Sequence, residues 1–260
     1  MRKLKRTSAF DLTLEVKTED FVSPPGARQR NWLLNRFMRE ATADLTALDA
    51  LAERFVPGAE RSFSGDMQSG ELSDQEIMED WQLPLMQAMA DVAGIEGGDV
   101  LEVGFGRGVS AELLQDKGVR SHTIIECNPS VVRRFDEWRA THDGREIRMV
   151  EGLWQDVIGD LDTFDAIFFH TYALDEDEAV DRLSSTTFAD DFFPVAAEHL
   201  VDGGVLTYLT NEIDSLSRNH QRLLFEHFRS IRLEIVPLDL PHDVRDAWWA
   251  DSMAVIEVIK

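Results

Sequence analysis

The sequence predicts an α/β protein with a doubly wound, seven-stranded, mostly parallel sheet and an N-terminal helical extension. Short apolar runs alternate with segments of helical character over residues 99–209, a pattern typical of βαβ units around a parallel sheet. Two further strand-like runs, close together in sequence, end the chain. Together these observations predict a doubly wound sheet into which the final strand inserts antiparallel.

Residues 1–72 are expected to form an extension of arm, helix and lid, and residues 73–260 the main domain. Apolar and polar residues alternate over 10–16, which predicts a strand or an arm. Apolar residues recur at helical spacing over 28–55. This stripe must be buried on its own domain or on a partner, so we expect a homodimer.

A polar, glycine-containing loop over residues 57–73 precedes the main domain. Ser73 has the character of an N-cap, and Glu76 follows three residues later, as in a capping box. The pattern predicts a helix around residues 74–93.

The alternating elements can be assigned individually from apolar runs and helical periodicity. The predicted strands are 99–103, 121–126, 146–150, 164–169, 203–209, 231–238 and 252–260. The predicted helical segments are 108–117, 130–140, 154–160, 188–200 and 215–229.

Composition excludes several classes of partner. The 260 residues are 43% hydrophobic and 29% charged, and the net charge of −23 disfavours nucleic-acid phosphates or an anionic membrane as a partner. The single cysteine, Cys127, excludes an intramolecular disulfide. No apolar run approaches the ~20 residues of a membrane span or forms the core of a signal peptide. We therefore expect a cytoplasmic protein that acts on a small molecule.

A glycine-rich turn follows the first strand of the main domain, and an acid ends the next strand. Gly104, Gly106 and Gly108 let the backbone turn tightly and let a ligand approach main-chain N–H groups. Glu126, at the end of the second strand, can accept the hydroxyls of a ribose. The turn lacks the Lys-Ser/Thr ending of a phosphate-binding loop, and its G-x-G-x-G spacing differs from the dinucleotide pattern. With Glu102 before the turn, the combination favours S-adenosylmethionine over NAD, and over glycines that serve only packing.

Six sequence blocks stand in order over roughly residues 72–212. The blocks are "MEDWQLPLM" (78–86), "VLEVGFG" (100–106), "IIECN" (124–128), "GLWQDV" (152–157), "FDAIFFHTYAL" (164–174) and "GGVLTYLT" (203–210). Their sequences, order and spacing resemble guanidinoacetate N-methyltransferase and its relative, the arginine N5-methyltransferase. The blocks "IIECN" and "GLWQDV" are more specific than a generic methyltransferase turn. The resemblance implies a class I methyltransferase that uses S-adenosylmethionine.

The resemblance also implies a set of cofactor contacts, with Glu126 on the ribose and Met86 near the sulfonium. The implied set is Met86, Glu102, Gly104, Phe105, Gly106, Glu126, Cys127, Asn128, Gly152, Leu153 and Trp154. Nothing in the motif activates Cys127, so we interpret it as a small buried residue. The segment 60–77 corresponds to the part that closes over the substrate in this family.

The sequence departs from the family at the two acids that bind the guanidinium group. His170 stands where the family has an aspartate, in the triplet His170-Thr171-Tyr172, and Gln82 replaces a glutamate. A guanidinium stays protonated at neutral pH and is normally matched by carboxylates. The joint loss of both acids argues against guanidinoacetate as the substrate.

The expected acceptor site consists of His170, Gln82, Tyr172 and Glu79. A histidine has a pKa suited to taking a proton from an ammonium, a hydroxyl or an acidic carbon. Tyr172 could wall the pocket or pack in the core. Glu79 could supply another acid, since the family also has an acid there, whereas the run 175–178 reads as a solvated face. No His/Cys cluster has metal-ligand spacing, so no metal is expected.

The sequence therefore predicts a methyltransferase that acts on a small-molecule acceptor, at the nitrogen of an amine-type group. Three alternatives remain: a guanidino N-methyltransferase using other acids, an O- or C-methyltransferase with His170 as base, and a binding protein without catalytic activity.

Overall fold

The computed structural model describes residues 5–6, 12–13, 70–171, 187, 189–210, 212–241 and 250–260. The chain divides into two compact units, one of residues 1–62 with 242–250 and one of residues 63–241 with 251–260. In the first unit, β1 (Lys5–Arg6) pairs antiparallel with β2 (Leu12–Thr13). The predicted helix over 28–55 lies outside the described residues, and the boundary at residue 72 stays a prediction.

The second unit contains a seven-stranded sheet with the predicted topology. The strands are β3 (Asp99–Val103), β4 (Ser121–Glu126), β5 (Glu146–Glu151), β6 (Phe164–Phe169), β7 (Leu200–Leu209), β8 (Ser230–Pro237) and β9 (Ser252–Ile259). Their order in the sheet is β5-β4-β3-β6-β7-β9-β8. Strand β9 lies between β7 and β8 and pairs antiparallel with both, and the remaining pairs are parallel. The predicted doubly wound α/β fold and its antiparallel final strand are confirmed.

The helices of the described residues connect these strands. They are α1 (Asp74–Ile77), α2 (Leu83–Ala93), α3 (Val109–Asp116), α4 (Pro129–Arg139), α5 (Trp154–Val157), α6 (Phe193–His199) and α7 (Arg218–Phe225). Short 3-10 turns cover Asp80–Gln82, Ile158–Asp160 and Asp190–Phe192.

The predicted single helix around 74–93 is wrong, because the segment breaks into α1, a 3-10 turn and α2. The predicted capping box is present: Ser73 accepts from the Glu76 N–H, and the Glu76 carboxylate accepts from the Ser73 N–H. Met78 and Glu79 then adopt extended backbone. Pro84 lies in the first turn of α2, where its missing N–H and its ring are tolerated, whereas neither suits the middle of a continuous helix.

The core lies on one face of the sheet between β3, β6, β7 and β9 and the helices α6 and α7. Leu101 and Val103 belong to this core together with Phe169, Phe192 and Phe193. Because side chains alternate across a strand, Glu102 points to the opposite face from Leu101 and Val103. Helix α2 contacts α3 and the strands β6 to β9.

The parallel strands β3, β4 and β6 are neighbours, so their carboxyl ends meet at one edge of the sheet. The chain leaves β3 toward α3 and β4 toward α4 at this edge. Ligands of open α/β sheets bind at such an edge, where the connections diverge. The topology therefore places the glycine turn, Glu126 and His170 together.

Candidate functional site

A cleft opens at the carboxyl ends of β3, β4 and β6. It encloses about 1110 Å³, part of which is open to solvent. Of the predicted contacts it is lined by Met86, Gly104, Phe105, Gly106, Glu126, Cys127, Asn128, Gly152, Leu153, Trp154 and His170. The tertiary structure thus brings most of the predicted site residues to one cavity.

Glu126 is held in the wall of the cleft by the backbone of two turns. Its Oε2 accepts from the N–H groups of Phe105 (3.0 Å) and Gly106 (3.5 Å), and its Oε1 accepts from those of Cys127 and Asn128, each at 2.9 Å. Burial raises the pKa of Glu126, and these hydrogen bonds oppose that rise. The 3.5 Å contact is at the limit for a hydrogen bond, so Oε2 retains accepting capacity toward a ligand.

The glycine turn allows β6 to approach β3 closely. Gly104 has a φ of +94°, and a Cβ placed there would overlap the carbonyl oxygen of His170. The His170 N–H donates to the Val103 carbonyl at 3.0 Å. Glycine is therefore required at 104 both for the turn and for the position of His170.

His170 is a neutral imidazole in the cleft wall. Burial lowers the pKa of His170 to about 4, because the surroundings disfavour the charged ring. The residue as a whole is partly exposed and lines the cleft, whereas its Nε2 atom is buried. At neutral pH it can accept or donate a hydrogen bond without carrying charge.

The adenosine side of the predicted site combines packed aromatic rings with the cap of a helix. The Trp154 ring packs edge-on against Phe192 and Phe169, with centroid distances of 5.0 Å and 6.2 Å. Asn128 caps α4, since its Oδ1 accepts from the Ser130 and Val131 N–H groups.

Burial and the neighbouring Glu126 charge raise the pKa of the Cys127 thiol to about 11. A neutral thiol is a poor nucleophile, which agrees with the view that Cys127 is not a nucleophile. The expectation of a buried residue is not met, because Cys127 is only partly buried and lines the cleft.

Glu102 departs from the expected cofactor contacts, because it lies behind the cleft. The side chain is fully buried; its Oε1 accepts from the Ser110 hydroxyl, and its Oε2 lies 3.0 Å from His122 Nε2. Gln115 contacts the other ring nitrogen of His122 at 3.1 Å. The sequence pattern does not single out His122, because a histidine in one strand carries no signal about its partner on the neighbouring strand.

The other predicted acceptor residues are not brought to the cleft. Gln82 is buried, and its Oε1 accepts from the Glu79 N–H at 3.1 Å. Glu79 accepts from the Trp81 indole N–H, also at 3.1 Å. Neither Gln82 nor Glu79 lines the cavity. Tyr172 and the acids 175–178 lie outside the described residues.

Sequence reasoning missed Arg107, which also lines the cleft. Its Nη1 donates to the Met78 carbonyl at 3.0 Å and to Asp80 Oδ1 at 2.7 Å. Ile77 and Met78, which precede α2 in the chain, also line the cleft. The signal available in the sequence was the position of an arginine between two turn glycines.

The described residues form neither a metal-binding cluster nor a membrane-spanning helix. Across the described residues, no three His, Cys, Asp or Glu side chains are grouped so as to hold a metal ion. A bilayer crossing needs a long apolar helix, and the described part of the chain has none.

Comparison with known proteins identifies relatives of the chain. The family profile of guanidinoacetate N-methyltransferase matches residues 58–229, about two thirds of the chain. Protein arginine N-methyltransferase 2 of Aspergillus fumigatus is 27% identical over 169 residues, covering 60% of this chain and 39% of that protein. Protein arginine N-methyltransferase 2 of Cryptococcus neoformans is 36% identical over 95 residues, covering 31% and 26%. The chain thus spans well under half the length of these relatives.

Solved structures share the fold at low sequence identity. A protein described as a methyltransferase and crystallised with SAH superposes with a TM-score of 0.53 at 14% identity, covering 70% of this chain and 50% of that one. The N-methyltransferase NodS from Bradyrhizobium japonicum gives a TM-score of 0.50 at 13% identity, covering 70% and 98%. At this identity the likeness shows the fold alone, and it is the fold predicted from the sequence.

Proposed function

The chain belongs to the guanidinoacetate N-methyltransferase family, and on that premise we propose that it methylates the nitrogen of a small, amine-type acceptor. The resemblance predicted from the sequence motifs agrees with this membership. The enzyme class and the methyl donor, S-adenosylmethionine, agree with the family and with the neighbour crystallised with SAH.

The residues of the cleft fit this donor. Glu126 offers a carboxylate to ribose hydroxyls, and the turn at Gly104 lines the same cavity. Trp154 and Leu153 offer an apolar surface to a base. When bound, S-adenosylmethionine supplies an electrophilic methyl group. The protein's own contribution is to hold both reactants in line and to keep water away from them.

The observation that carries the amine-type acceptor is the neutral His170 in the cleft wall. Its low pKa leaves an uncharged ring that can orient an acceptor and take a hydrogen bond from it. Among the described lining residues the one carboxylate is Glu126, which the backbone already holds. A protonated guanidinium would meet no free anion there, whereas an amine reacts as its neutral free base, which needs no anion.

A guanidino nitrogen is the second candidate acceptor, favoured by the names of the relatives. Several of them are protein arginine N-methyltransferases. An arginine side chain, free or in a protein, is therefore the specific competitor. Acids outside the described residues, such as those at 175–178, would then have to match its charge.

A transfer assay with labelled S-adenosylmethionine tests the proposal. The acceptor panel contains small amines, hydroxyl compounds, arginine, guanidinoacetate and an arginine-containing peptide. We expect transfer to amines, a steep loss of turnover in His170→Ala, and binding of SAH by that variant within a few-fold of the wild type. Efficient methylation of arginine, guanidinoacetate or the peptide by the wild type would overturn the amine-type acceptor. Binding of SAH with no transfer to any acceptor would favour a binding protein.

His170→Asp supplies a second test of the charge argument. It restores the carboxylate that the family has at this position, so activity on guanidino compounds should rise relative to the wild type. A variant that gains nothing on guanidino compounds would show that other residues set the acceptor class.

A further inference from the structure

Arg107 is the one side chain of the described cleft lining that carries a positive charge at neutral pH. The other ionisable lining groups are Glu126, Cys127 and His170. His170 is uncharged, because burial lowers its pKa to about 4. The chain as a whole carries a net charge of −23, so its field repels anions from the cleft. Arg107 is therefore the positive charge that the described lining offers to an anionic group.

The guanidinium of Arg107 has donors to spare. Both of its hydrogen bonds with described residues come from Nη1, to the Met78 carbonyl and to Asp80. A guanidinium has five N–H donors in a planar fork, which suits the two oxygens of a carboxylate. Asp80 is a weak competitor for this charge, since its side chain is 78% exposed whereas that of Arg107 is 23% exposed.

The position of Arg107 in the turn connects it to the donor. Arg107 directly follows Gly106, whose N–H, with that of Phe105, is bonded to the proposed ribose acceptor Glu126. Ser110, three residues further along the chain, also lines the cleft. A ligand held at Glu126 and extending along the glycine turn passes Arg107.

S-adenosylmethionine carries an α-carboxylate at the end of its methionine part. Burying that carboxylate in a largely apolar cleft without a partner would be costly, and hydrogen bonds to a cation offset the cost. We infer that Arg107 binds the α-carboxylate of the methyl donor and thereby selects donors and products that retain it. This inference rests on the proposed function, because it assumes that the cleft takes S-adenosylmethionine.

The experiment compares two ligands that differ in the carboxylate alone. Calorimetry measures binding of SAH and of decarboxylated SAH, which keeps the amine, to the wild type and to Arg107→Gln. Glutamine is uncharged but can still donate to the Met78 carbonyl. We expect Arg107→Gln to weaken SAH roughly 10- to 100-fold and to leave decarboxylated SAH within about 2-fold.

Arg134→Gln is the matched control. Arg134 also holds the segment before α2, through Asp74 and the Leu72 carbonyl, but it does not line the cleft. We expect this variant to change the affinities for both ligands by the same factor. Asp80→Asn removes the competing acid, so SAH should bind it at least as tightly as it binds the wild type.

The outcomes separate the two proposals. Equal losses for both ligands in Arg107→Gln, or no loss for SAH, would overturn the role of Arg107 while leaving the donor site intact. A wild type that binds neither ligand would overturn the proposed function, and the role of Arg107 with it. If Arg107→Gln fails to fold, Arg107→Lys takes its place: it keeps the charge but not the fork, and a selective loss for SAH is again expected.

Discussion

At the scale of single residues, Glu126 has the most exacting environment in the cleft. Its carboxylate accepts four backbone N–H groups from two turns. Glu126→Gln would turn an amide NH₂ toward some of these donors and remove the negative charge. We expect SAH affinity to fall roughly 10- to 100-fold and the free energy of unfolding to fall as well. Calorimetry and urea denaturation measure the two effects.

Glu151→Gln controls for the loss of an acid from this edge of the sheet. Glu151 lies opposite Glu126 in the register of β4 and β5, but it is exposed and does not line the cleft. It should bind SAH as the wild type does. Unchanged SAH binding in Glu126→Gln would contradict the ribose role.

His170 predicts a pH dependence of stability. Its folded pKa of about 4 lies below the ordinary value of 6.5, so the unfolded chain binds the proton more readily. The contribution of His170 to the free energy of unfolding is therefore fully present above pH 6.5 and is lost as the pH falls through about 4. Between about pH 7 and about pH 4 the free energy of unfolding should fall less in His170→Gln than in the wild type, by up to about 3 kcal/mol. Urea denaturation across this range checks it, and parallel curves for wild type and variant would refute it.

At the scale of elements, α7 is tied to the sheet by a buried polar chain. The Tyr208 hydroxyl of β7 lies 2.8 Å from His220 Nε2, and Glu212 Oε2 lies 3.0 Å from His220 Nδ1. Tyr208 and His220 are fully buried, and burial raises the pKa of Tyr208 well above its usual range. These contacts among Tyr208, His220 and Glu212 fix how α7 packs against the core.

Removing His220 should therefore loosen α7. His220→Ala leaves the Tyr208 hydroxyl and Glu212 without this partner and opens a cavity, so we expect a loss of about 2–4 kcal/mol in the free energy of unfolding. Tyr208→Phe removes one hydroxyl and should cost less, about 1 kcal/mol. Urea denaturation measures both, and a His220→Ala variant as stable as the wild type would contradict a structural role for the chain.

The agreement between predicted and observed elements has a physical cause. Buried parallel strands read as continuous apolar runs, so β3, β4 and β6 have the predicted bounds. The capping box at Ser73 predicts one helix over 74–93, and only the backbone geometry shows the break at Met78 and Glu79. A capping box reports where a helix begins, and it does not report where that helix ends.

At the scale of the whole molecule, the N-terminal apolar stripe predicts a dimer. Residues 28–55 lie outside the described residues, but their sequence carries an apolar stripe beyond the needs of the main domain. Such a stripe must be covered. Light scattering at high protein concentration should give twice the monomer mass, and Leu45→Glu with Leu48→Glu on the stripe should give a monomer. A monomer mass for the wild type would count against this prediction.

The sequence by itself determined the fold, the glycine turn, Glu126 and the replacement of the family's acid by His170, because each depends on local pattern or on motif. Only the tertiary structure decided which side chains share the cleft. It placed Glu102 behind the turn with His122, left Gln82 and Glu79 outside the lining, and brought in Arg107. The reason is that strand alternation and close strand contacts set the direction of each side chain, and neighbours in space such as Glu102 and His122 are twenty residues apart in the chain.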